Sequence, residues 1–555
     1  MRPAARRGLV RSALAGVAFL ALADTAIVAL ALPPILRELD TDVAGVAAVL
    51  GVYAVVLAAA LLPAERLGRV HGIRTLGLAG VALFGVGSLA CGLADSIQPL
   101  LIARAVQALG GAALLVTAHA SLVGEPGVPH GLRLWRLAAL LGTAAGPAIG
   151  GALTQALGWR SIFLVQAPAA LAAVPACLSA AAPGIVSRER DWVGRRAVAF
   201  AALALISGAI AAALFLTVLL LISGWGIEPL AAALVVSVMP LSALAATRIG
   251  GPAAQRAAAG ALLVAAGAAA LAFLPNASVA WTILPQLAAG VGMGLSLAAL
   301  GGELLPDRDG HESARLLTMR HAGIALALLI LAPIAQHELD TTLQDTRLRG
   351  AALILDARID PQLKLEIAPR LSGSVETEDP RGGLKHVFAD ARSDVDDDQL
   401  AAYDALTNRA DDLLVTGVNQ GFRTAFLVAA GLALLAAALL VLLAAAALAR
   451  ALAPVTGVLA VLLLAFAWTA GSARPEHIEL ADPCEDRALP STGGVTGFAQ
   501  DAALVAADVI ACRVGSSREE LVLALADDDA AHDYEERYGV NPRSALDIAE
   551  RFLPG

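Results

Sequence analysis

Apolar residues in this chain come in long unbroken runs, not in the short stripes of a soluble fold. The first reads SALAGVAFLALADTAIVALALPPIL, from Ser12 to Leu36. Others follow at about 44–63, 75–94, 97–122, 132–154 and 161–182. A second set lies at about 197–222, 229–248, 257–274, 278–302 and 316–337, and a last pair at 422–448 and 452–471. At about 1.5 Å per residue, about 20 residues of helix cross a hydrocarbon core of about 30 Å. The pattern predicts an all-α polytopic membrane protein of thirteen spans. The opening MRPAARRGLVR could be read as the start of a secretory signal. The apolar run continues through Ile27, Val28 and Leu32, too far for a signal core, so it reads as a retained span.

Composition agrees: of 555 residues, 58% are hydrophobic, and the mean hydropathy is +0.73. Charge then orients the spans. Arg2, Arg6, Arg7 and Arg11 precede the first; Arg66, Arg69 and Arg74 follow the second; Arg133 and Arg136 follow the fourth; Arg188, Arg190, Arg195 and Arg196 follow the sixth; Arg308, Arg315 and Arg320 precede the eleventh. The alternate loops hold only Arg37 and Arg160. Positive loops stay in the cytoplasm, so the N-terminus is expected inside and, with an odd number of spans, the C-terminal end outside the cytoplasmic membrane. No basic stripe with interleaved aromatics is present, which excludes a nucleic-acid partner.

The net charge of −9 is concentrated in two acidic blocks, 338–421 and 472–555, both placed outside. The first reads as helical extensions of its flanking spans around a turn-rich or mobile middle, SGSVETEDPRGG and DARSDVDDDQ. The second predicts helices near 498–513, 518–527 and 543–552, the middle one opened by a capping box of Ser517 and Glu520. Cys91 and Cys177 lie in spans, whereas Cys484 and Cys512 lie in the tail, where an oxidising compartment favours a disulfide. His532 among Asp528, Asp529 and Asp533 reads as a solvated face. No metal cluster and no nucleophile–base arrangement stands out, so neither a cofactor nor an enzymatic activity is expected.

Asp24 sits near the middle of the first span, where a carboxylate costs several kcal/mol unless it meets water or a partner. It is expected to face a central cavity and exchange a proton or cation; the structural alternative is a carboxyl bonded to a neighbouring helix. Between spans two and three stands Pro63-Ala-Glu-Arg-Leu-Gly-Arg-Val-His-Gly-Ile-Arg74. Its acid, turn glycine and arginines can lock neighbouring helix ends as a gate. Span four carries Leu101-Ile-Ala-Arg-Ala-Val-Gln-Ala-Leu-Gly-Gly111. Helical rise places Arg104 within reach of Asp24, directly or through water. Span five holds Gly142-Thr-Ala-Ala-Gly-Pro-Ala-Ile-Gly-Gly151, glycines that admit close helix approach around a bending proline.

In this order the motifs resemble the major facilitator superfamily. The loop after span two resembles its signature G-x-L-a-D-[RK]-x-G-[RK]-[RK] at Glu65, Arg66, Gly68 and Arg69, departing at Leu61 and by Glu65 in place of Asp. Arg104 falls on the intramembrane arginine of its second motif. Gly142, Gly146, Pro147, Gly150 and Gly151 resemble the antiporter motif of drug:proton exporters. Asp24-Thr25 with Ala31-Leu32-Pro33, and Gly158-Trp-Arg-Ser-Ile-Phe163 with Pro168, are similar to the drug:proton antiporter-2 branch (EmrB/QacA-like). That branch normally has fourteen spans; here only Pro183–Arg196 separates spans six and seven, so its two linker helices are missing. The second half echoes the family more weakly, in Gly226-Ile-Glu-Pro-Leu230 and Met239-Pro240.

The resemblance implies two six-helix bundles, 1–182 and 197–448, joined by a cytoplasmic linker 183–196. A thirteenth span (449–471) and a small helical outer tail (472–555) are added to it. It implies proton-coupled export of a lipophilic or amphipathic small molecule by alternating access. Asp24, Arg104 and Gln107 would form the proton-coupling site and cavity, Glu65, Arg66, Gly68 and Arg69 the inner gate, and span five's motif the hinge. His119 and His321 could join a proton path, though packing explains each more simply. The expected partners are the substrate, protons and the bilayer, with an envelope component as a candidate at the outer domain. The rival readings are a membrane-anchored interaction protein that uses its outer blocks, and an exporter of a lipid or envelope precursor.

Overall fold

The computed structural model describes residues 3–123, 129–180, 195–305, 309–375, 380–444, 446–475 and 478–544. Among these residues the chain forms helices and no strands. The first half runs α1 (Pro3–Ala29), α2 (Leu32–Glu38), α3 (Val43–His71), α4 (Ile73–Gly92), α5 (Ile97–Val123), α6 (Pro129–Leu157), α7 (Arg160–Leu171) and α8 (Val174–Leu178). The second runs α9 (Arg195–Leu219), α10 (Pro229–Val236), α11 (Val238–Ala246), α12 (Ala253–Leu271), α13 (Ala280–Ala299) and α14 (Gly310–Asp356). An insert then adds α15 (Pro361–Val375) and α16 (Pro380–Ala391) before α17 (Leu400–Ala444) returns. Then come α18 (Ala446–Ser472), α19 (Gly494–Val514), α20 (Arg518–Ala526) and α21 (Asp528–Tyr538).

Sequence sets these boundaries locally. Pro33 and Pro34 cannot continue a helix but suit its first turn, so the first apolar run breaks after Ala29 and restarts as α2. Asp42 caps α3 by accepting from the Gly45 N–H at 2.6 Å, and Asp309 caps α14 from Glu312 N–H at 2.7 Å. Gly72, at φ 89°, makes the tight turn from α3 to α4.

The first-half helices pack as one bundle, with α1 on α6, α3 on α5 and α4 on α5 and α7. In the second, α9, α14 and α17 pack mutually, α12 lies on α17, and α13 lies against α11 and α12. The halves meet chiefly along α3 and α14, and where α10 meets α6. Among the described residues, thirteen helices are long and apolar enough to cross a membrane. That set includes the tail helix Gly494–Val514 and omits span five, which is bent by 47° between Gly131–Ala139 and Ala144–Leu157. Pro147 has no N–H to donate to the carbonyl four residues back, which lies at the break. Counting that bent pair as one span and folding α19 into the tail returns the thirteen runs seen in the sequence.

Helices α14 and α17 have 47 and 45 residues, more than a bilayer requires, and pack against each other. Helices α15 and α16 close over them through Leu363, Ile367, Leu384, Phe388, Tyr403 and Leu406. Here the sequence expectation needs correction. The middle of the insert is not turn-rich throughout, because Leu384, Phe388 and Ala391 form a buried stripe that makes Pro380–Ala391 a helix. The bends remain at 392–399.

In the tail, α19 and α20 match the expected helices, and Ser517 and Glu520 form the reciprocal capping box. Cys484 and Cys512 are bridged. Helix α21 was not anticipated from sequence; Tyr534 anchors it beside Leu521, Ala511 and Ala524, leaving His532 exposed. Helix α18 rests on α12 with Val461, Leu464 and Trp468 outward, as lipid contact requires. Most of the linker expected at 183–196 and of the tail helix expected at 543–552 lies outside the described residues.

Candidate functional site

The pair expected from helical rise is formed. Arg104 Nη2 on α5 lies 2.8 Å from Asp24 Oδ2 on α1, and both side chains are fully buried. Gln166 on α7 donates to Asp24 Oδ1 at 3.1 Å. Arg104 donates to the Val49 carbonyl at 3.1 Å and to Gln107 Oε1 at 2.6 Å. Gln107 donates in turn to Ser88 Oγ at 2.9 Å and Gln166 Oε1 at 2.7 Å. The guanidinium also lies over the Tyr53 ring, 4.3 Å from its centroid, and Tyr53 donates to the Ala21 carbonyl at 3.1 Å. Buried charges persist where each is paired: Asp24 Oδ2 and Arg104 Nη2 meet as an ion pair, and Gln166, Gln107 and the Val49 carbonyl bond the other atoms of the two groups.

The network faces into the first bundle. Sequence reasoning expected Asp24 on a central cavity, but its carboxyl is enclosed by α3, α5 and α7. The ion pair explains that orientation, since Arg104 lies on the bundle side of α1. Its neighbours Leu22, Thr25 and Ala26 take the other face and line a cavity of about 60 Å³ between the halves. Ser207, Met293, Arg320 and His321 complete much of the opposite wall. Gln166, Ser88, Tyr53, Ser207 and Arg320 were missed as site residues. Their common signal was a polar group inside an apolar run.

At the Arg-rich end, Glu65 was expected to lock adjacent helix ends. It pairs with Arg69 on its own helix at 2.9 Å and meets His311 Nδ1 in the first turn of α14 at 3.4 Å. Glu65 and His311 are both buried, so this contact closes the halves together. Gly68 packs the end of α3 on Ile73 and Leu76, whereas Arg66 is exposed. Thr318 donates to the Ala58 carbonyl at 3.3 Å one level deeper.

At the acidic end, Val43 N–H donates to Gln336 at 3.0 Å. Gln155 on α6 donates to Glu228 at 3.1 Å and accepts from Leu230 N–H at 2.9 Å. The two halves are thus tied at both ends. A recess of about 270 Å³, bordered by Asp42, Gln336 and Phe422, opens at the acidic end.

The span-five motif divides by partner. A side chain at Gly142, Gly146 or Gly150 would strike Phe19, Ala23, Ala26 or Ile27 of α1. One at Gly151 would meet Pro229 and Ala233 of α10 across the interface. Three of the glycines therefore seat α6 on α1, and only Gly151 faces the other half. His119 packs edge-on against Trp135 at 5.0 Å, while His321 donates from Nδ1 to the Leu317 carbonyl at 2.8 Å.

Comparison with known proteins accords with this arrangement. The Multidrug resistance protein Stp of Mycobacterium tuberculosis is 38% identical over 154 residues, 27% of this chain and 29% of that protein. The Tetracenomycin C resistance and export protein of Streptomyces glaucescens is 38% identical over 166 residues, 29% of this chain and 31% of that one. The Cephamycin export protein CmcT of Amycolatopsis lactamdurans is 35% identical over 178 residues, 31% and 36% of the two chains. The chain thus matches about a third of the length of these curated relatives. A crystal structure of a bacterial homolog to the human lysosomal transporter Spinster, inward-facing and unoccupied, superposes with a TM-score of 0.53 at 17% identity. It covers 79% of this chain and 98% of its own, and shares the fold. The family model of the Major Facilitator Superfamily matches residues 14–335, from α1 with Asp24 through the membrane part of α14, and the chain belongs to that family.

Proposed function

We propose that this protein exports a lipophilic or amphipathic small molecule across the cytoplasmic membrane in exchange for protons, by alternating access. The observation that carries the reading is the buried Asp24–Arg104 pair on a helix whose opposite face lines the inter-half cavity. Protonating Asp24 removes the negative member of the pair and leaves Arg104 to Gln107, the Val49 carbonyl and the Tyr53 ring. The balance of forces on α1 then changes, and α1 transmits the change to Thr25 in the cavity and to the glycine seam with α6. Glu65–His311 at one end and Gln155–Glu228 at the other are the contacts that would break by turns. The relatives named as drug-resistance and export proteins, and the arginine-rich loops that set an inside N-terminus, support this direction of transport.

The test is uptake into proteoliposomes under an imposed pH gradient, across a panel of acidic, neutral and basic lipophilic compounds. Gradient-dependent movement of at least one compound is expected, lost in Asp24→Asn. No compound moving with the gradient would end the reading.

A second reading is favoured by the salt bridge from Arg518 of the tail to Asp356 at the end of α14, 2.7 Å. The outer blocks would then recruit an envelope component, and the bundle would anchor them. Deleting 472–555 separates the two, because an exporter keeps its efflux and an anchored binder loses its phenotype.

A further inference from the structure

The cavity between the halves holds an unbalanced positive charge. Among the described residues its polar wall consists of Thr25, Ser207, Arg320 and His321, and none that lines it is a carboxylate. Arg320 lies about 15 Å along α14 from Gly310, at 1.5 Å per residue. It makes no hydrogen bond or ion pair with any described residue. Ser207 is 3% exposed, and its hydroxyl has no hydrogen-bond partner among the described residues. The His321 ring is already engaged at Nδ1 by the Leu317 carbonyl. A guanidinium held between two helical bundles without a counter-charge is costly, as is a buried hydroxyl without a partner. One ligand feature relieves both.

We propose that Arg320 and Ser207 bind the acidic group of an amphipathic substrate, a carboxylate or phosphate-type anion. Arg320 presents a planar fork that fits either group with two parallel N–H bonds. Ser207 Oγ donates a further bond from α9, the facing helix. The apolar wall of Leu22, Ile210, Leu214, Met293, Leu297 and Ile324 takes the adjoining hydrocarbon. At about 60 Å³ the closed cavity admits the charged head, with the body following as the halves part. Calling the ligand a substrate rests on the exporter reading; the anion site itself does not.

The experiment titrates the detergent-solubilised full chain with dansylated undecanoic acid, with its methyl ester and with the corresponding dansylated undecylamine, read by dansyl fluorescence. The acid is expected to bind on the order of tenfold tighter than the ester, with the amine weakest. Arg320→Gln should bring acid and ester to equal affinity, Arg320→Lys should keep part of the preference, and Ser207→Ala should weaken the acid alone by a few fold. Thermal unfolding of each variant checks the fold, and Ser207→Ala carries the test if Arg320→Gln fails to fold. Equal affinity for acid and ester in the unaltered chain overturns the proposal, as does an acid preference that survives Arg320→Gln. Competition identifies the source of the anion. Displacement by phosphatidylglycerol supports the site with a lipid as the amphiphile, whereas displacement by inorganic phosphate as potent as the acid leaves a bare anion site and overturns the assignment. Binding preference intact but no pH-driven movement of any acidic amphiphile would sink the exporter reading alone.

Discussion

His311 Nδ1 lies 3.4 Å from Glu65 Oε2, and the contact joins α14 of the second half to α3 of the first. Glu65 also holds Arg69, so one carboxylate serves both its own helix and the opposite bundle. Glu65→Gln removes the charge while keeping the size, and should loosen closure at this end. A cysteine placed at Thr318, one level deeper, reports it, since Cys91 and Cys177 are buried and Cys484 and Cys512 are bridged. Several-fold faster modification by an impermeant thiol reagent is expected in the Glu65→Gln background. An unchanged rate would mean that this contact does not hold the end shut.

Adjacent glycines in α6 should behave differently. A methyl group at Gly150 would sit 2.2 Å from the Ile27 carbonyl oxygen, inside the first bundle. Gly150→Ala should therefore destabilise the whole protein, by about 1–3 kcal/mol for overpacking. A methyl at Gly151 would sit 2.3 Å from Ala233 Cβ in the other half. Gly151→Ala should spare the fold and push the halves apart, lengthening the distance between spin labels at the exposed positions Leu157 and Leu234. Identical losses of melting temperature with unchanged distances would contradict this division.

The tail is held by buried charge. Arg518 and Glu519 are fully buried and 3.1 Å apart, Arg518 also reaches Asp356, and Arg487 lies 2.9 Å from Glu519. Burial pushes the Asp508 carboxyl up, with Arg518 and Arg487 pulling it down. Arg518→Met would leave the carboxylate of Glu519 with Arg487 as its remaining cation, a loss of about 3–5 kcal/mol for a broken buried pair. Limited proteolysis should then release the tail from an otherwise intact bundle. A tail as resistant as before would show that the disulfide and apolar contacts suffice.

Lys364 of the insert between α14 and α17 gives a pH dependence. Burial pushes its ammonium from 10.5 down to about 8, against Asp356 and Asp501, with Arg518 adding to the fall. Between about 8 and 10.5 the unfolded chain holds this proton and the folded chain does not. Stability therefore rises with pH across that window, and below it the cost of the buried charge is fully present. Thermal scans at the two ends of the window should show a gain in the unaltered chain that Lys364→Met lacks. An equal gain in both would assign the effect to other groups.

Much of the architecture was legible because membrane burial writes itself into composition. The runs, the arginine alternation and the Asp24–Arg104 pairing each follow from a cost that lipid imposes on polar atoms. Cys484 with Cys512, and Ser517 with Glu520, were legible because local or compartment chemistry restricts such residues. Side-chain direction was not. Asp24 and Thr25 are neighbours in sequence but face opposite sides of α1, and only the position of Arg104 decides which one meets the cavity. Arg320 reads as a loop charge because it stands with Arg308 and Arg315 in the arginine cluster that opens the eleventh run. The cross-half use of Glu65 and the docking of Arg518 on Asp356 depend on contacts across 246 and 162 positions, beyond any local pattern. Helix α21 is so acidic that its polarity hid the single buried Tyr534.

The most direct measurement follows protons. Proteoliposomes of the full chain, loaded with a pH-sensitive dye and given a pH gradient, receive a transported compound from the panel. Addition of that compound should collapse the gradient in the unaltered protein. Asp24→Asn should bind the compound and leave the gradient standing, with Asp24→Asn/Arg104→Gln as the variant that removes the unpaired charge. Proton flow through a folded Asp24→Asn at the unaltered rate would contradict the role of that carboxyl and, with it, the coupling mechanism.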